Sequence, residues 1–157
     1  MRRFVVSSVA LLLVAATAWA GSLAPKKPSE TVVLTSSPFG GPCVVEQIGT
    51  QIAPDGTEIA FQLEVGEALM VTDINWMLED ATAGDTVGLE FYGGNADTAI
   101  MVVDAEANAR GVARGQTHLS TPVRVNTTLC ANPVVMDGTT IPNLHDIRVM
   151  GFITGDR

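Results

Sequence analysis

Positive charge, histidine, cysteine and flat aromatic rings are all scarce in this chain, and each shortage narrows what it can do. Nine lysines and arginines stand against 17 aspartates and glutamates, a net charge of −8. The basic residues form no run, so the surface repels a phosphate backbone and nucleic acid is not an expected partner. An anionic membrane surface is disfavoured on the same grounds. The two histidines, His118 and His145, have no second histidine or cysteine at ligand spacing, so zinc lacks its minimum set. His118 would share a strand face with Ser120, but no G-x-S-x-G elbow presents a serine nucleophile. His145 beside Asp146 reads as a surface imidazole. Glu79, Asp80 and Asp85 flank a short turn without the D-x-D-x-D-G order of a calcium loop, so a solvated turn is the simpler reading. The sequence therefore predicts no catalytic residue, no metal and no cofactor.

The start of the chain says where the protein works. Arg2 and Arg3 precede an apolar run ending near Ala16, and Ala18-Trp19-Ala20 supplies the small-x-small pattern of a signal peptidase site. The run is too short for a stable membrane anchor, which takes about 20 apolar residues. Residues 1–20 are read as a cleaved export signal. Cleavage removes two of the nine basic residues and none of the 17 acidic ones, taking the charge from −8 to −10. No cysteine follows the cleavage site, which argues against a lipid anchor. Export also gives the only two cysteines of the mature chain a meaning. Cys43 and Cys130 sit outside any C-x-x-C pair and are expected to form a disulfide in an oxidising, periplasmic or extracellular compartment.

Residues 21–42 carry Pro25, Pro28, Pro38, Pro42 and several serines and glycines, the composition of a tether. Within it, Val32, Val33 and Leu34 could add an edge strand or stay loose. From Cys43 to the end the apolar period is two. Ile59, Phe61, Leu63 and Val65 alternate with Ala60, Gln62 and Glu64, then Ile74, Trp76 and Leu78 with Asp73, Asn75, Met77 and Glu79, and Val87, Leu89 and Phe91 with Gly88, Glu90 and Tyr92. Thr98 to Val103 is apolar on both faces, as a buried strand would be. The last segment sets Ile147, Val149 and Ile153 against Arg148, Met150 and Phe152. Turn signals separate the runs, among them Pro54-Asp55-Gly56, Gly84-Asp85, Asn132-Pro133 and Asp137-Gly138. Ala105 to Arg110 is the one stretch with a helical look. This pattern predicts an all-β, antiparallel β-sandwich over residues 43–157, jelly-roll-like rather than immunoglobulin-like.

Function is read from what the strands leave outside. Trp76 shares a face with Ile74 and Leu78 and belongs to the core, so Tyr92 is the single candidate ring for contacting a ligand such as a glycan. Met77, Met101, Val103, Met150 and Phe152 alternate with core residues, so they are expected on an outer face that is normally polar. That points to a non-catalytic binding or assembly module, forming a homo-oligomer or meeting another envelope or extracellular protein. The alternative is a module that binds or hydrolyses glycans.

Overall fold

In a computed structural model of the chain, the described residues are 31–37, 43, 46–94 and 98–155. The expected export signal lies outside them, as does most of the expected tether. Nine strands follow in order: β1 (Thr31–Ser36), β2 (Glu46–Ile52), β3 (Glu58–Ala60), β4 (Glu67–Glu79), β5 (Thr86–Gly93), β6 (Met101–Glu106), β7 (Ala113–Val125), β8 (Leu129–Asp137) and β9 (Asn143–Gly155). All pair antiparallel in one sheet, in the order β6-β5-β8-β2-β1-β9-β4-β7, with β3 added to β2. The sheet is rolled until it is nearly closed into a barrel. Setting β3 aside, the first strand pairs with the last (β1–β9) and the second with the penultimate (β2–β8). The nesting continues inward through β4–β7 to β5–β6. The chain is one long hairpin wound around its own core.

The core follows from the period-two pattern. Leu34, Leu69, Val71, Ile74, Leu78, Val87, Leu89, Phe91, Ile147 and Val149 are all buried to 1% exposure or less. In β4 the apolar positions change phase, from Leu69 and Val71 to Ile74, Trp76 and Leu78. The pairing of β4 with both neighbours shifts register between Val71 and Asp73. That bulge spends one residue, Thr72, and so returns both apolar rows to the same face.

Several expectations need correction. Val32 and Leu34 are neither loose nor on an edge: β1 lies between β2 and β9, so the folded unit reaches back at least to Thr31. The alternating run Ile59 to Val65 is strand only as far as Ala60. Phe61 and Leu63 still lean on the core, but Val65 stands fully exposed in the turn before β4. The segment from Thr98 to Val103 is no buried strand. It leads into β6, an end strand on which Val102 is exposed, with Ile100 exposed just before it. Ala105 to Arg110 forms no helix. The strand ends at Glu106, and Asn108 caps the following turn by accepting bonds from the N–H groups of Arg110 and Val112. Asn132-Pro133 makes no turn either and sits inside β8. β8 runs along β2 only from Leu129 to Ala131, so beyond that one edge is open and the missing proline N–H costs little.

The cysteines are bonded as expected. Cys43 and Cys130 form a disulfide with Cα atoms 5.6 Å apart, tying the chain just ahead of β2 to the second residue of β8.

Candidate functional site

The one place where the sheet divides makes a cavity. β2 offers a single edge to two strands: β8 takes it at Glu46 to Ile48, and β3 takes it at Thr50 to Ile52. Beyond β3 the chain is held back against this edge, the N–H of Phe61 donating to the Gly49 carbonyl at 2.7 Å. It then crosses through residues 61–66 into β4, while β7 turns into β8 through Asn126, Thr127 and Thr128. Between these two crossings lies a pocket of about 580 Å³. Core residues of β1, β2, β4 and β8 form its floor (Leu34, Ile48, Leu69 and Leu129), and Phe61 and Leu63 add apolar wall.

The rim is polar and of one sign. Glu64 and Glu67 line it together with Gln62, Asn126 and the two threonines, and among the described residues no lysine, arginine or histidine does. Glu67 Oε2 accepts the backbone N–H of Glu64 at 2.9 Å, and the N–H of Glu67 donates to the Glu64 carbonyl at 3.0 Å, which fixes the turn. Gln47 reaches the pocket from β2. Its side chain lies along its own strand over Gly49, where an added Cβ would come within 2.5 Å of the Gln47 amide nitrogen. The Gln47 Oε1 is buried and, among the described residues, accepts no hydrogen bond. Such an acceptor stays costly until a donor reaches it.

The residues singled out from sequence lie elsewhere. Tyr92 is on the outer face of β5, half-buried, and its hydroxyl donates to Glu90 two residues back. That bond, with the adjacent negative charge, raises the phenol above its usual range. On β6, Val102 lies across from Glu90. Val103 is a correction: it is 5% exposed and packs in the core, and Met101 also leans inward. Met77 and Met150 do stand on the outer face, both half-buried. Phe152 faces away from the core too, yet it and its cross-strand neighbour Met70 are each only 6% exposed. Little of Phe152 is left for a partner. These residues make no single patch.

The histidines have carboxylate partners the sequence did not disclose. His118 Nδ1 lies 2.8 Å from Asp73 Oδ1, directly across the β4–β7 ladder, and His145 Nδ1 lies 3.1 Å from Glu79 Oε2. The hydrogen bond from His118, helped by one from Thr72, holds the Asp73 carboxyl below the usual range. Both imidazoles are more than half exposed, on open sheet surface. Asp85 and Asp80 are occupied separately, Asp85 by the Thr139 N–H and Asp80 by the Asn143 side-chain amide. Among the described residues no group of three potential ligands is assembled for a metal.

No family model, curated protein or solved structure matches this chain.

Proposed function

We propose that the protein is an exported, non-catalytic binding module that holds a small ligand in the pocket where β3 and β8 part from β2. The observation that carries this reading is the pocket itself: a recess of about 580 Å³ with an apolar floor and a few polar groups at its rim. That is the usual make-up of a ligand site, and barrel mouths are a usual place for one. The disulfide fits work outside the reducing cytoplasm. For the finer fold, the support lies in the strand order. With β3 aside, β1-β9-β4-β7 and β2-β8-β5-β6 are the two four-stranded runs that a wound hairpin makes in a jelly roll. Assembly is the second reading, favoured by Val102 exposed on the end strand β6, Ile100 exposed just before it and Met136 exposed near the end of β8. Amide-resolved NMR of the purified exported protein against a panel of neutral, cationic and anionic small molecules tests the first reading. It expects shifts at Glu64 to Glu67 and Thr127 to Leu129. Shifts confined to β6, β5 and β8, or concentration-dependent broadening there, would replace it with the second.

A further inference from the structure

We infer that the fork pocket takes a ligand bearing an ammonium group on a compact apolar body, an inference that rests on the binding reading above and names its ligand class. Three features of the pocket converge on this chemistry. The first is sign. Glu64 and Glu67 supply two carboxylates at the rim, no basic side chain among the described residues lines the pocket, and the whole chain carries a charge of −8. A cation is drawn to such a recess and an anion is repelled.

The second is hydrogen-bond demand. Glu67 has one oxygen beyond the one that accepts the Glu64 N–H, and Glu64 brings its own carboxylate to the same rim. An ammonium group offers three donors and no acceptor, so it answers several acceptors at once. A hydroxyl brings one donor, and it lacks the charge that makes a hydrogen bond to carboxylate strong. The third is the floor. Leu34, Ile48, Leu69 and Leu129 make it wholly apolar, and a permanently hydrated ion would leave that surface wet. A compact hydrocarbon body covers the floor while the ammonium stays at the rim.

Three probes of the same shape separate the terms: cyclohexylmethylamine, cyclohexylmethanol and cyclohexanecarboxylate, titrated into the exported protein and read by amide NMR. The amine is expected to shift the Glu64 to Glu67 and Thr127 to Leu129 amides and to bind roughly tenfold tighter than the alcohol, the worth of one charge-assisted hydrogen bond. The carboxylate should bind weakest. Added salt should weaken the amine and leave the alcohol unchanged. Exchanging both rim carboxylates (Glu64→Gln with Glu67→Gln) keeps side-chain size and an acceptor for the Glu64 N–H, and should bring amine and alcohol affinities together. Equal binding of amine and alcohol by the unmodified protein, or an amine affinity untouched by salt, would overturn the inference while leaving the binding reading in place. If none of the three probes moves the pocket amides, both fall.

Discussion

Replacing Cys43 and Cys130 together by alanine tests how the wound hairpin is held. The disulfide spans 87 residues of chain. Closing a loop of that length in the unfolded state is worth about 4.5 kcal/mol in the chain-entropy model. Its position makes that figure matter. β2 and β8 share only three registered pairs, Glu46–Ala131, Gln47–Cys130 and Ile48–Leu129, whereas β4 and β9 share twelve. The bridge therefore sits on one of the shortest ladders of the sheet, where little other pairing can compensate. A domain of this size has total stability of about 5–15 kcal/mol. The double variant should thus lose a large share of it, with Tm falling by roughly 15 °C. Urea unfolding of the oxidised protein, the reduced protein and the variant measures this directly. Reductant should destabilise the unmodified protein by nearly the same amount and leave the variant unaffected. A loss below about 1 kcal/mol would refute the argument, because it would mean the loop is already restricted in the unfolded chain.

Gly115→Ala should destabilise by about 1–3 kcal/mol, since its Cβ would lie 2.8–2.9 Å from three atoms of the buried Trp76 ring; urea unfolding followed by tryptophan fluorescence measures it. Asp73 has its folded-state pKa lowered by His118 and Thr72, so its contribution is present above the unfolded carboxyl value of about 3.9 and is lost as pH falls through the folded value. Asp73→Asn should flatten that acid limb in a stability-against-pH series, and an unchanged slope would count against the pairing. Asp80 is the only non-glycine with positive φ among the described residues, at 62°. Both Asp80→Gly and Asp80→Ala remove the bond from Asn143, but only glycine relieves the left-handed backbone, so Asp80→Gly should be near neutral and Asp80→Ala, which keeps a Cβ there, should cost about 1–2 kcal/mol. Equal unfolding midpoints for the two variants would refute the strain argument.

The strands that bury one face were legible because burial alone sets their period. Val87, Leu89 and Phe91 keep a single phase along β5 and are all fully buried. β1 was misjudged for a reason of context. Six residues between two proline-rich stretches look dispensable, yet Val32 and Leu34 fill the space between β2 and β9, and only those distant strands reveal the need for them. The Ile59 to Val65 run failed in the opposite way. Its alternation is perfect, but Gly49 supplies the last partner at Phe61, and a strand without a neighbour stops whatever its pattern. Met150 and Phe152 show that alternation assigns a face and not exposure. Both lie opposite the core, and one of them is still covered.

The pocket was hidden from sequence for a related physical reason. Its polar residues are scattered along the chain: Gln47, Glu64, Glu67 and Asn126 come from β2, the turn before β4, β4 itself and the β7–β8 turn. What brings them together is a choice at one strand edge. β8 and β3 cannot both follow β2 along its full length, so they part at Gly49, and the chain segments leaving each of them become the two walls. A glycine at that point lets the Gln47 side chain fold flat along the strand, which is how its carbonyl oxygen comes to be buried with no partner among the described residues. Any residue with a Cβ at position 49 would push Gln47 out toward water and satisfy it there. The unsatisfied acceptor is thus a consequence of the fork, and it exists only because two strands compete for one edge. A pocket of this origin leaves its trace in pairing register, where the period-two pattern carries no information.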